Sequence, residues 1–322
     1  MSLSFLAAPS RWAALLIALS ALALGGCAVQ TQALRAKPPA GLAAMAELGD
    51  TPFFPQADYH CGPAALATAL SAAGLRGEPS RLAEQVFLPA RTGTLQIEMI
   101  AGARRQGAVA TRLPPTLEAV LREVQAGHPV VVLQNLGLSW APTWHYAVLI
   151  GYDLAAGEVV LRSGTTRRAV MAMRTFEHTW KRSGSWAFVA LAPGQWPVTA
   201  GREAVVEASL GFERSAPARE AAAVYRSALA RWPSDLTLQM GLGNSLHAAG
   251  DKPAAAQVFR RAAQAHGSAP AWINLAGTLL ELGLREEAVQ AAREAVSASD
   301  AAWRAQADAV LAQALAARSP AR

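Results

Sequence analysis

Cys61 stands in the stretch FPQADYHCGPAALATALSAAG, directly before Gly62 and Pro63 and ahead of a run of alanines and leucines. Pro63 is tolerated only in the first turn of a helix, so a helix should open within a residue or two of the thiol and end at Gly74. The unpaired N–H groups of such a first turn present positive potential, which favours thiolate over thiol. Acyl transfer then needs a base within reach and donors for an oxyanion. Among six histidines, His145 is the candidate base, because it opens the apolar segment HYAVLIGYD, whose strand would hold the imidazole against a neighbouring helix end. His60 adjoins Cys61, but consecutive residues at a helix start diverge. His128, His178, His247 and His266 stand in turn or helical contexts. The plain alternatives are a small buried cysteine and a hydrogen-bonded structural histidine.

The elements that would position these residues follow from hydrophobic period and punctuation. Further helices are expected over Ser80–Val86 and Thr94–Gln106, opening with serine and threonine caps, and over Thr116–Ala126, ending at Gly127. The apolar runs VVVLQN, HYAVLIGYD and GEVVLRS read as strands, and RRAVMAM and SWAFVAL could join the same antiparallel sheet. Helices first and sheet afterwards describe an α+β domain, assigned to 53–195. Beyond PGQWPVTAG the strand signals stop and alanine-rich amphipathic helices fill 200–318. There Tyr225 and Ala228 recur as Phe259 and Ala262, 34 residues on, and Gly250 recurs as Gly283, 33 residues on. Trp272, Leu275, Ala276, Leu279, Gly283 and Ala288 follow the order of large and small positions in tetratricopeptide repeats, which this region resembles. Two units are expected, Asp235–Gly267 and Ala269–Asp300, with a degenerate one from about Arg202 and a capping helix over Ala301–Ala317.

The chain has 322 residues, long enough for these two domains, and is 52% hydrophobic and 16% charged, too apolar for disorder. Its net charge of +6 comes from scattered arginines with no basic stripe, which argues against nucleic acid as a partner. The run RWAALLIALSALAL, Arg11–Leu24, is short for a membrane span and follows a basic residue, as in the apolar region of a secretory signal. The following LGGC resembles the lipobox of bacterial lipoproteins, which implies a signal over 1–27, a lipidated Cys27 and a lipid anchor. Ala28 after it favours the outer membrane, facing the periplasm. Residues 28–52 are expected to be a proline-containing tether. With Cys27 lipidated, Cys61 would be a lone thiol in an oxidising compartment.

A glutamine, four residues, then CGPAAL, with HYAVLIGYD downstream, resembles the papain-like cysteine peptidases of the bacteriocin-processing, double-glycine type, over roughly Phe53–Pro193. The resemblance implies Cys61 as nucleophile, His145 as general base and acid, and Gln56 as side-chain donor of the oxyanion hole beside the Cys61 N–H. Such peptidases orient the histidine with Asp or Asn on the next strand. Here Ser163 stands at about that place, with Asp153 and Asn135 as alternatives, and the orienting residue is open. The implied function is hydrolysis of a protein or peptide substrate in the periplasm through a thioester, with no cofactor and no metal, the repeats docking substrate or a protein partner. Two alternatives share the sequence: a papain-like acyl transferase that resolves the thioester with an amine, and a catalytically degenerate adaptor lipoprotein.

Overall fold

The computed structural model describes residues 28–55 and 61–317. Cys27 and the apolar run before it, and Gln56 and His60, lie outside the described residues.

The N-terminal domain is built on one antiparallel sheet. Its strands β2 (Val109–Arg112), β3 (Val130–Asn135), β4 (Trp144–Asp153), β5 (Glu158–Ser163), β6 (Thr166–Ala172) and β7 (Ala187–Leu191) lie in the order β2-β7-β3-β4-β5-β6, and β1 (Met45–Glu47) pairs with the end of β4. The central strands carry continuous apolar runs, Val130–Leu133 in β3 and Tyr146–Ile150 in β4, because both faces are covered. One layer is formed by α2 (Cys61–Ala72), α3 (Pro79–Val86) and α4 (Gln96–Arg105), packed on Val131, Leu133, Tyr146 and Val148. The other is formed by α1 (Val29–Ala36), α5 (Leu117–Gln125) and α6 (Met173–Lys181), packed on Val130, Val132, Ala147 and Leu149.

Several expectations are corrected. Residues 28–52 are not a free tether: they hold α1 and β1. The Glu177 carboxylate on α6 accepts Gln30 N (3.0 Å), Thr31 N (2.8 Å) and Thr31 Oγ1 (2.7 Å), supplying an anion to the donors of α1's first turn. Arg35 at the other end of α1 donates to the carbonyls of Leu154 and Ala155. Ser80 and Thr94 are not caps: the N-caps are Glu78 and Leu95, without side-chain capping bonds. Thr116 does cap α5, its Oγ1 accepting Ala119 N at 3.2 Å.

The C-terminal region is all helical: α7 (Arg202–Glu213), α8 (Ala218–Leu229), α9 (Leu236–Ala248), α10 (Lys252–His266), α11 (Ala269–Glu281), α12 (Arg285–Ala298) and α13 (Arg304–Ala316). Asp235, Asp251 and Ser268 cap α9, α10 and α11 with their side chains. Two close helix approaches rest on glycines of α9: a Cβ at Gly241 would collide with the Tyr225 ring, and one at Gly243 with the Phe259 ring.

The two regions are joined by packing and by a buried carboxylate. Val109 of β2 clusters with Ala208 and Phe212 of α7 and Val224 of α8, so the first repeat helices cover the sheet's edge strand. Glu123 of α5, fully buried, accepts Thr199 N (2.7 Å) and Thr199 Oγ1 (2.6 Å) on one oxygen and Val198 N (3.3 Å) on the other, which also bonds His128 Nδ1 at 2.7 Å.

Candidate active site

Cys61 is the first residue of α2, half-buried and with its thiol free. The residues after it explain how a helix can start so tightly against the sheet. Gly62 faces Thr94, where an added Cβ would lie 2.7 Å from Thr94 Cβ, and Pro63 occupies a first-turn position whose N–H has no helical partner. Burial raises the thiol pKa above its ordinary value; backbone N–H groups of Tyr146, Gly62 and Cys61 itself oppose that shift by donating toward the sulfur. The Tyr146 N–H is the informative one. Its nitrogen is bonded to the carbonyl carbon of His145, so the thiol abuts the peptide joining the candidate base to the next residue.

His145 stands at the start of β4, opposite Gln134 of β3. Its Nε2 lies 2.8 Å from Ser163 Oγ at the end of β5. Strand alternation gives His145 the face of Ala147 and Leu149, while α2 packs on the face of Tyr146 and Val148. The two side chains therefore do not share a face of β4; what links Cys61 to this end of the strand, beyond its last pair with β5 at Val148–Arg162, is the Tyr146 N–H. Among the described residues no hydrogen bond joins Cys61 to His145. Burial lowers the imidazole pKa below its ordinary value, so the surroundings favour the neutral form of each group.

The alternative orienting residues are engaged elsewhere. Asn135 Oδ1 accepts Gly137 N (3.0 Å) and Thr143 N (2.9 Å) and its Nδ2 donates to Leu138 O, which staples the loop between β3 and β4. Asp153 lies at the far end of β4, roughly 25 Å along the strand from His145, and accepts Ala156 N in the turn to β5. Of the three candidates, Ser163 is the one in contact with His145.

In front of Cys61 opens a cleft of about 580 Å³ between the segment around Thr92, Thr94 and Leu95 and the start of β4 at Thr143 and Trp144. Tyr146 Oη donates to Thr94 O at 3.2 Å and ties the two walls together. Burial, and secondarily the neighbouring Cys61 charge, push the Tyr146 pKa up, so the phenol stays a donor. Thr94 Oγ1 is buried with no hydrogen-bond partner among the described residues. Neither Thr94 nor the Tyr146 N–H is visible to motif reasoning: a backbone donor leaves no residue-type signature, and Thr94 resembles a helix cap. Adjacency to His145 in HYAVLIGYD is the sole sequence pointer to Tyr146.

Residues 49–188 match the family described as Peptidase_C39 like, and residues 218–270 match the tetratricopeptide repeat. Among solved structures, a C39-like peptidase chain from Bacillus anthracis is 20% identical, with a TM-score of 0.40, covering 46% of this chain and 98% of that one. No curated protein matches the chain. The sheet flanked by helices, the cysteine-headed α2 and the family match agree: residues 49–188 form an α+β domain that resembles the C39-like peptidases, followed by a helical region with tetratricopeptide repeats.

Proposed function

We propose that the N-terminal domain is a cysteine peptidase that cleaves protein or peptide substrates through Cys61, with His145 as base and acid. The observation that supports this most directly is the thiol's place: it heads a helix, receives the N–H of Tyr146 beside His145, and fronts the cleft. With the Nε2 hydrogen accepted by Ser163 Oγ, His145 Nδ1, which has no protein partner among the described residues, is free to take a proton. In the proposed reaction Sγ adds to the scissile carbonyl carbon as its proton passes to Nδ1. The oxyanion is met by the Cys61 N–H and the Gln56 amide. Collapse breaks the C–N bond, the amine leaves with the proton from His145, and the thioester is hydrolysed by water deprotonated by the same ring. Because burial favours the neutral thiol and neutral imidazole, the proton moves during attack and not beforehand.

Cys61→Ala and His145→Ala should each abolish peptide turnover, and Gln56→Ala should slow it by about a hundred- to a thousandfold. Undiminished turnover by Cys61→Ala would sink the assignment. A second reading, the catalytically degenerate adaptor, is favoured by the raised thiol pKa and by the uncharged Ser163 where a carboxylate or amide would orient the ring. It expects a wild-type thiol that resists iodoacetamide at neutral pH and no turnover of a mixed peptide library. We further propose, from Arg11–Cys27 alone, that the chain is a lipid-anchored envelope protein; fatty-acid labelling lost in Cys27→Ser would support it, and equal labelling would refute it.

A further inference from the structure

Between the peptidase domain and the first repeat helix lies a crevice of about 440 Å³ that the proposed reaction does not use. Three guanidiniums reach it, Arg104 from α4, Arg112 from β2 and Arg214 at the end of α7, against a single carboxylate, Glu207. None of the three is in an ion pair among the described residues, and for Arg104, the partly buried one, an unmatched cation is costly. Arg104 is the most constrained. Its guanidinium lies against Gly211 of α7, where an added Cβ would force it to shift, and its Nε is buried with no hydrogen-bond partner among the described residues. Arg112 stacks over Trp186 at 5.4 Å, which fixes its plane. Burial lowers both arginine pKa values and the nearby Glu207 works in the other direction, but a guanidinium keeps its charge at any working pH.

The remaining walls are apolar, with Ile97, Ile100, Ala204 and the Trp186 ring beside the charges. Ile97, 71% exposed, forms an apolar rim to the crevice. Apolar walls ending in planar, bidentate donors suit a carboxylate carried on a hydrocarbon arm, as in a glutamate side chain, better than a compact inorganic anion. The crevice adjoins the cleft at Cys61, since Gln96 lines both. Gln96 and Arg104 are eight positions apart on α4, or about 12 Å along a helix. That span equals roughly three to four residues of extended peptide.

We propose that this crevice binds carboxylate side chains of an acidic peptide segment. Its use by a substrate lying in the Cys61 cleft, with the acidic residue about four positions from the bond attacked, rests on the peptidase assignment; the binding itself does not. The test is calorimetric titration of the full chain with acetylated, amidated tetraglutamate and tetraglutamine peptides. Arg112→Gln/Arg214→Gln is the main variant, since both residues are exposed and can be changed without emptying the core. Tetraglutamate should bind at low ionic strength, tetraglutamine at least about tenfold more weakly, and the double variant should lose about tenfold or more, with Arg219→Gln on the outer face of α8 unchanged. Cys61→Ala should bind as the wild type does, so a failure of catalysis would leave this result standing. Equal binding of the two peptides, or an unaffected double variant, would overturn the proposal. So would stoichiometric displacement of tetraglutamate by inorganic phosphate or citrate, which would assign the crevice to a free anion.

Discussion

Replacing Ser163 with aspartate tests whether the site is held back by the missing charge. Ser163 Oγ sits 2.8 Å from His145 Nε2, so a carboxylate oxygen placed there would bring a full negative charge to about 4 Å from the ring centre. At an effective dielectric of about 20 that interaction is worth about 4 kcal/mol, or about three pKa units. Part of it is cancelled because the new carboxylate loses hydration in a partly buried place, and paired groups in proteins shift by about one to three units. An upward shift of about one to two units is therefore expected for His145, against the downward shift that burial now imposes. A more basic ring draws the thiol proton, so the thiolate–imidazolium pair should become about ten- to a hundredfold more populated near neutral pH. Two assays read this independently: ring resonances followed by NMR across pH 4–9, and the pH profile of iodoacetamide labelling. Ser163→Asn is the control, since it keeps an acceptor and adds no charge. If aspartate and asparagine give the same imidazole titration, the electrostatic account of this site is wrong.

Three further outcomes follow from the geometry. His145 is favoured neutral when folded, so its contribution to stability is present above its ordinary value of 6.5 and lost as pH falls, whereas Cys61 is favoured protonated, so its contribution is present below 9.0 and lost as pH rises. The thermal midpoint should form a plateau between those values, and His145→Asn should flatten the acidic side; an unchanged acidic slope would contradict the burial argument. Gly241→Ala gains about 1 kcal/mol of helix propensity but overpacks the Tyr225 ring, at a cost of about 1–3 kcal/mol. That ring is tethered by its hydroxyl to Glu213 at 2.6 Å, so a lower denaturant midpoint is expected and a higher one would refute the clash. Glu123→Gln turns one of two donor-facing oxygens into an NH2 group, which should cost about 1–3 kcal/mol and increase proteolysis around Pro197–Ala200; unchanged cleavage and midpoint would show that the buried carboxylate does not hold the junction.

What was legible in the sequence was whatever depends on residue type and local period. VVVLQN forms β3 over its full length: a strand covered on both faces calls for a continuous apolar run, and its two polar residues, Gln134 and Asn135, are buried with side-chain hydrogen bonds of their own. The repeat phase was legible because glycines and alanines recur wherever two helices touch. Elements held by distant partners were not. α1 depends on Glu177, 146 positions from Thr31, and no local signal announces such a carboxylate. β2 is four residues long and owes its place to β7 and to the α7 residues that cover it. α6 follows β6 without a turn signal, and its Phe176 and Trp180 read equally well as strand residues until their stacking on one helix face is seen. In the site, residue types pointed to Cys61 and His145, the choice among Ser163, Asp153 and Asn135 stayed open until the His145–Ser163 contact was seen, and the relation between thiol and imidazole is set by strand alternation and by a backbone N–H, neither of which a motif encodes.

The carboxylate clasp on α1 changes how far the peptidase domain could work from a surface. Twenty-five loose residues would let a domain roam about 25–30 Å from its point of attachment. α1, bonded to α6, begins at Val29, two residues after Cys27. If Cys27 carries the proposed lipid, the slack at that junction is about 7 Å. The domain would then ride against the bilayer like a stone in a ring setting. Its substrates would be those that come to the membrane, and the repeats, packed on the same domain, would be held near that surface with it.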